Sequence, residues 1–418
     1  MIRTGTLASG MRVVTDRMTE ARSVSVGFWV GTGSRDEGED WAGASHFLEH
    51  LLFKGTEERT ASSIAEAVDE AGGDFNAYTT KEYTCFYIRL LAEDLALGLD
   101  ILSDIMRRPA LRQEDVDAER SVILDEILMH ADEPADEAAE QSNAALFPGH
   151  PLGRDVLGSR PSVEAMTAGR LRRFFEQHYR PRNMVVAVAG DVDHDRVVEM
   201  LASHWSGAPE GGAPRRDAPG AEIVPLRVTR RGTEQTQVIL ALRSVDRSDP
   251  RRYALALWNH ALGGGLSSRL FQEIRERRGL AYSVWSDRVA YADAGAISVG
   301  IGTAPEHVGE VLAIATRTLD EMGEDGLTDR ELAIAKGNLR AETLLSCEDS
   351  GSRMSRVGGS LLLHGEVVEV DEVLARIDAV TGADVGAVAA EVARAPRTLS
   401  VVGPFDAGDF DPAALRLG

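Results

Sequence analysis

The chain has 418 residues and carries 45 Lys and Arg against 67 Asp and Glu, a formal net charge of −22. That length allows two or more domains with substantial cores, and the acidic balance argues against nucleic acid as a partner, since phosphate binding needs a basic surface. Apolar content is 43%, ordinary for a globular protein, and the longest apolar runs, such as Met184–Ala189, are far too short to span a bilayer, so no membrane partner is expected.

In chain order, the amino terminus Met1-Ile2-Arg3-Thr4-Gly5 lacks an apolar leader and an Arg/Ser-rich transit segment, which makes the cytoplasm the expected location. Residues Ser23–Val30 read as a strand, and a helix carrying His46 and His50 follows and stops at Gly55. Thr60 can cap a second helix running through Ala71. Gly72-Gly73 turns the chain into Asp74–Thr79, and Thr84–Ile88 reads as another strand. An amphipathic helix with Leu95, Leu99, Leu102 and Met106 comes next, then a second from about Glu114 to Met129. The two cysteines, Cys85 and Cys347, permit no disulfide framework and no thiolate metal cluster; both read as small buried hydrophobes.

A Gly/Pro/Ala-rich stretch, residues 207–220, lacks hydrophobic periodicity and reads as a linker between domains 1–206 and 221–418. The second half repeats the order of the first. Gln237–Leu242 is a strand, Tyr253–Leu262 a helix stopped by Gly263-Gly264-Gly265, and Leu270–Arg277 another helix. Leu280-Ala281-Tyr282 stands where Asn76-Ala77-Tyr78 stands, Ala296–Gly300 is a strand, and helices near 306–322 and 328–346 close the unit. The fold class is α+β: two homologous units, each a largely antiparallel sheet with helices packed on it.

The chemistry concentrates in His46-Phe47-Leu48-Glu49-His50. Histidines four apart on a helix project from one face, a spacing that suits two imidazoles on one zinc ion. Glu49 between them is placed to act on a metal-bound water as general base. The order H-x-x-E-H reverses that of the common zinc peptidases. A catalytic zinc needs a third ligand, and Glu119 and Glu126, seven apart on the helix 114–129, share a face near Val122, Ile123 and Ile127, which are expected to anchor that region in the core. Spacing alone leaves open that one of these acids faces solvent. The second half lacks the pattern, and its counterpart, ALALWNHALGG, holds a lone His260 that reads as packed or capping.

The segments GASHFLEHLLFKGT, FNAYTTKEYTCFY, ERSVILDEI, HPLGRDVLG and LSSRLFQEIRERRGLAYSV resemble the pitrilysin/insulinase family of metallopeptidases, most of all the β-subunit of mitochondrial processing peptidase and its bacterial relatives. The resemblance implies one zinc per chain on His46, His50 and Glu126, Glu49 as base, and Glu119 orienting a ligand histidine. It implies that Arg275 and Tyr282 bind substrate and support catalysis, and that Asn76, Ala77 and Tyr78 lie on an edge strand that pairs with substrate backbone. It further implies that Asp136 and Glu140, on a helix begun by Pro134, hold an arginine of the substrate. Family members form a clamshell from four such units, so the resemblance implies a homodimer in which Arg275 and Tyr282 serve the partner's zinc.

The function implied is that of a zinc endopeptidase cleaving peptides or unstructured segments bound as an added strand in an enclosed chamber. Two alternatives stand beside it: a non-catalytic scaffold like the core proteins of a respiratory complex, and a catalytic subunit that needs a distinct partner chain.

Overall fold

The computed structural model describes residues 1–208 and 211–417, so positions 209 and 210 of the expected linker, and position 418 of the expected second domain, lie outside the described residues. Eleven strands among them form two sheets. The first is built from β1 (Ile2–Thr6), β2 (Arg12–Arg17), β3 (Ser23–Val30), β4 (Asp74–Thr79), β5 (Thr84–Leu91) and β6 (Met184–Gly190), in the order β1-β2-β6-β3-β5-β4. The second uses β7 (Leu226–Arg230), β8 (Thr236–Ser244), β9 (Ala281–Ala290), β10 (Gly295–Thr303) and β11 (Arg397–Gly403), in the order β7-β11-β8-β10-β9. Without β1 the two orders correspond strand for strand. In each sheet one pair is parallel, β2 with β6 and β7 with β11, and the others are antiparallel. The α+β reading with two homologous units holds.

Successive residues of a strand face opposite sides, so a sheet apolar on both faces needs cover on both. In the first sheet Val24, Val26, Phe28, Phe86 and Ile88 pack with Phe47, Leu48, Leu51, Leu99 and Leu102 of the helices that follow in sequence. The other face presents Val14, Trp29, Cys85, Val185 and Ala187. Met354, Val357 and Leu361, from the helix Ser350–His364 of the second half, cover it. Arg353 anchors that helix by donating two hydrogen bonds, 2.6 and 2.8 Å, to fully buried Asp16. The second sheet is completed in the converse way. Ala138, Leu146 and Phe147, in and just after the helix Pro134–Leu146, pack on Ile239, Ala241 and Val402.

The compact units therefore interleave along the chain. One comprises Met1–Ile127, Arg154–Arg216 and Leu344–Val368; the other comprises Leu128–Gly153, Asp217–Thr343 and Glu369 onward. The contiguous division at 207–220 does not describe them, because each half of the chain lends one helix to the other half's sheet.

Local readings differ in several places. The histidine helix spans Ala44–Leu52 and stops three residues short of Gly55. Helix Arg252–Asn259 continues as a wider π turn, His260–Gly264, and Phe271–Arg277 is also π-helical. The triglycine does more than stop a helix: Gly263 lies against β9, where a Cβ would stand 2.7 Å from the Ser286 amide nitrogen. Cys85 is fully buried as read, whereas Cys347 is only partly covered.

Candidate metal centre

The histidine helix enters through Gly43, whose φ of +92° is open to glycine and whose absent Cβ would stand 2.5 Å from the Leu157 carbonyl oxygen. No neighbouring side chain caps its first turn. Glu37 does so from the preceding loop, accepting hydrogen bonds from the backbone N–H of Ser45 at 2.6 Å and of Gly43 at 2.7 Å. Its two oxygens thereby satisfy donors that the helix start leaves without a partner. Arg154, within the HPLGRDVLG segment, donates to the Glu37 backbone carbonyl. Burial pushes the Glu37 carboxyl up to about 8, against the downward pull of Ser45, Gly43 and Arg154.

Phe47, Leu48, Leu51 and Leu52 fix the helix in the core, which leaves His46, Glu49 and His50 at the remaining face. The helix Gln113–Asp132 buries Val116, Glu119 and Ile123, with Ile127 half-buried in the same core. Val122 departs from the expected anchoring and is 49% exposed, because it sits about 100° around the helix from Ile123.

His46 Nε2 stands 3.6 Å and His50 Nε2 3.7 Å from the same oxygen, Glu126 Oε2. One ligand atom from each residue falls within a 4.8 Å cluster. Both separations exceed a direct hydrogen bond and approach the roughly 3.3 Å between neighbouring ligands of a tetrahedral zinc with bonds near 2 Å. This donor set, two imidazoles and one carboxylate, fits zinc. Among the described residues no other group of three His, Cys, Asp or Glu converges in this way.

Glu119 accepts from His50 Nδ1 at 3.0 Å and pairs with Lys54 Nζ at 2.6 Å. That bond leaves His50 Nε2 free to ligate, the arrangement that commonly fixes a ligand's tautomer. Glu49 accepts a hydrogen bond from Thr79 Oγ1 at 2.6 Å. Burial raises the Glu49 carboxyl, the Thr79 hydroxyl and His50 lower it, and Glu126 raises it again.

Thr79 ends β4, and β4 forms the edge of its sheet, paired only with β5. Asn76, Ala77 and Tyr78 lie on it opposite Tyr87, Phe86 and Cys85. Asn76 Oδ1 accepts from the Ala77 N–H at 2.8 Å, and the Tyr78 ring packs edge-on against Trp29 and Tyr83. Beside the start of β4 opens a recess of about 470 Å³ lined by Phe53, Ile64, Val68 and Phe75.

The other predicted residues lie in the second unit. Arg275 Nη1 donates to the Tyr282 carbonyl at 3.2 Å, and its guanidinium lies 4.5 Å from the Tyr282 ring centre; the Tyr282 side chain is 79% exposed. Asp136 and Glu140 share a face of the helix Pro134–Leu146, with Pro134 at its first position; Asp136 is exposed, 3.9 Å from His130, and Glu140 is half-buried. His260 packs its ring over Gly265 and is lowered by burial.

Sequence reasoning missed Glu37, Lys54 and the role of Thr79. Glu37 reaches the centre through a loop and Thr79 from the sheet edge, so neither has a spacing signal; Lys54, four residues after His50 in the turn that ends the helix, did have one. The quoted HPLGRDVLG segment contained Arg154 without revealing its task.

A family model described as Insulinase (Peptidase family M16) matches residues 12–160, and one described as Peptidase M16 inactive domain matches residues 165–339. An uncharacterised zinc protease of Streptomyces coelicolor is 46% identical, covering 100% of this chain and 92% of that protein. One of Mycobacterium tuberculosis is 45% identical over 99% of this chain and 96% of its own, and one of Bacillus subtilis 34% identical over 97% and 98%. Among solved structures, a Pseudomonas fluorescens protein titled a peptidase M16 inactive domain superposes with a TM-score of 0.90, and a protease from Helicobacter pylori with 0.89. Each is 22% identical and covers 97% of this chain and 99% of its own, a likeness of fold. With identities this high over nearly the whole length of its relatives, the chain belongs to the insulinase peptidase family, M16.

Proposed function

We propose that this protein is a zinc-dependent endopeptidase that cuts peptides or unstructured protein segments. The observation that carries the reading is the shared approach of His46 Nε2 and His50 Nε2 to Glu126 Oε2, at 3.6 and 3.7 Å. The names of the relatives, zinc proteases, support the choice of metal. Zinc held there, one per chain, would polarise a scissile carbonyl and acidify a water. Glu49 would take up a proton from the attacking water and return it to the leaving amine, and burial raises its carboxyl, which favours proton uptake. Glu119 keeps His50 in the ligating tautomer.

The open edge of β4 offers backbone N–H and C=O groups to an extended peptide, which accounts for substrates of many sequences. The recess lined by Phe53, Ile64, Val68 and Phe75 accepts a bulky apolar side chain. Arg275 and Tyr282 stabilise the developing oxyanion, and Asp136 with Glu140 receives a basic side chain of the substrate. The working form is a homodimer that encloses its substrate, in the cytoplasm. Among the described residues no helix is long and apolar enough to cross a membrane.

The test is Glu49→Gln. The amide fills the same space but cannot take up a proton. The variant should retain zinc by elemental analysis while cleavage of a peptide library falls about 10²- to 10⁴-fold. Cleavage near the wild-type rate, or wild-type cleavage indifferent to a chelator, would refute the reading.

A further inference from the structure

The second unit repeats the three elements that build the metal centre of the first: a helix after the central strand, an edge strand, and a long helix near the end of the repeat. Here they are Arg252–Asn259 with its π turn, β9, and Asp329–Leu345. Their side chains have changed sign. Val284, Ser286 and Arg288 alternate along β9 onto one face, opposite Ile301, Val299 and Ile297 of the core. Ser286 ties this face to the helix, donating from Oγ to the Asn259 carbonyl at 3.0 Å.

Arg288 is therefore a half-buried guanidinium on the helix-covered face of an edge strand. Among the described residues nothing hydrogen-bonds or ion-pairs with it. Asp287 points to the opposite face, and Glu342 on the long helix is exposed and lies only within electrostatic range. A second guanidinium, Arg252 at the start of the helix, is also in range; its polar contact is the Tyr253 hydroxyl, at 3.4 Å. Burial disfavours the Arg288 cation most, as does the like charge of Arg252, while Asp287 and Glu342 act the other way from a distance. His260, on the π turn, adds an imidazole that Glu342 also reaches electrostatically. A partly desolvated arginine with no direct hydrogen-bonded or ion-paired partner, only acids at electrostatic range, is costly to hold, and an arriving anion offsets that cost.

We propose that Arg288, assisted by Arg252, forms a carboxylate-binding site in the second unit. The anion fits a guanidinium fork through paired charge-assisted hydrogen bonds. That the carboxylate belongs to a peptide, as its α-carboxylate or an Asp or Glu side chain, rests on the peptidase reading. The open edge of β9 suits an extended chain.

The test uses the full-length chain with chelator present, so that nothing is cut, and reads binding by fluorescence anisotropy. Three versions of one labelled peptide are compared: a free carboxy terminus, its amide, and the amide with an internal Gln→Glu change. In the wild type, one carboxylate-bearing version should bind about tenfold tighter than the plain amide, and which one does so identifies the source. In Arg288→Gln the advantage should vanish, and Arg288→Lys should keep part of it. Equal affinities in the wild type, an advantage that survives Arg288→Gln, or no measurable binding of any version would overturn the proposal. Should Arg288→Gln not fold, phenylglyoxal labelling of the wild type decides: acetate should protect Arg288, mapped by mass spectrometry, and labelling unchanged by acetate overturns the proposal. A carboxylate advantage in a chain that, loaded with zinc, cuts no peptide would refute the peptidase reading and leave this site standing.

Discussion

The two units offer the same place to different chemistry. In the first, helix and long helix contribute His46, Glu49, His50, Glu119 and Glu126, three acids and two imidazoles suited to a cation, and the edge strand adds Thr79 beside Glu49. In the second, the corresponding elements contribute Arg252, His260 and Arg288, two guanidiniums and an imidazole, with the exposed acids Asp287 and Glu342 within electrostatic range of Arg288. The backbone differs to match. The first helix is regular and held at its start by the buried carboxyl of Glu37, so its side chains are fixed at a definite height. The second widens into a π turn whose Gly263 lets β9 approach closely. The fold supplies the locus in duplicate; the side chains decide whether a metal or an anion belongs there.

The largest effect should follow from attacking the histidines of the two units in parallel. His46→Ala or Glu126→Ala should lose bound zinc and with it all measurable peptide cleavage, while His260→Ala keeps both. Elemental analysis and a peptide assay check this, and zinc retained by His46→Ala would erase the contrast between the units. Next in size, Arg275→Ala and Tyr282→Phe should keep zinc and lose about 10²-fold in kcat, the scale of one oxyanion donor. Mixing inactive His46→Ala with impaired Tyr282→Phe chains asks whether the pair serves a second chain's metal, read as activity above that of Tyr282→Phe alone. Recovered activity after proven subunit exchange says that it does. A smaller effect, about tenfold in kcat/KM, is expected when Asp136→Asn/Glu140→Gln meets substrates with arginine near the scissile bond, with little change for their alanine counterparts.

Much of this was legible because it is local. β3 was read at its observed bounds, Thr60 caps its helix by accepting the Ser63 N–H, and Leu95, Leu99, Leu102 and Met106 are all buried as their periodicity required. Histidines four apart on one helix offer a metal pair from spacing, while the choice of Glu126 over Glu119 needed the family resemblance. What stayed hidden is long-range. The parallel pairs β2–β6 and β7–β11 join strands well over a hundred residues apart, and no periodicity records a partner. Nor does an amphipathic helix say which sheet it will cover, so the exchange of Pro134–Leu146 and Ser350–His364 went unread. Glu37 reads as one acid among many in an acidic loop, and Arg288 as one more surface arginine.

The smallest effects expected concern two glutamates that each hold a helix start, one per unit, with opposite dependence on pH. Glu331 accepts from the Thr328 N–H at 2.8 Å and takes a two-point bond from Arg269, at 2.6 and 2.9 Å. Arg269 pulls its carboxyl down to about 2. A depressed folded-state pKa means that the native state holds the charged form more tightly than the unfolded chain does. The resulting stability is present above about 4.5 and is lost as pH falls through that value towards 2. Glu331→Gln should therefore cost about 1 kcal/mol at pH 7, modest because the pair is partly exposed, and nothing near pH 2. Glu37 runs the other way. Its carboxyl is raised to about 8 by burial, so between 4.5 and 8 the native state binds the proton that the unfolded chain has released. Stability relative to Glu37→Gln is then greatest below 4.5 and declines as pH rises through 8. Denaturant melts of the two variants against wild type, from pH 3 to 9, should give difference curves of opposite slope. Parallel slopes would mean that Glu37 is charged in the folded protein, so that the N–H groups of Gly43 and Ser45, with Arg154, outweigh its burial.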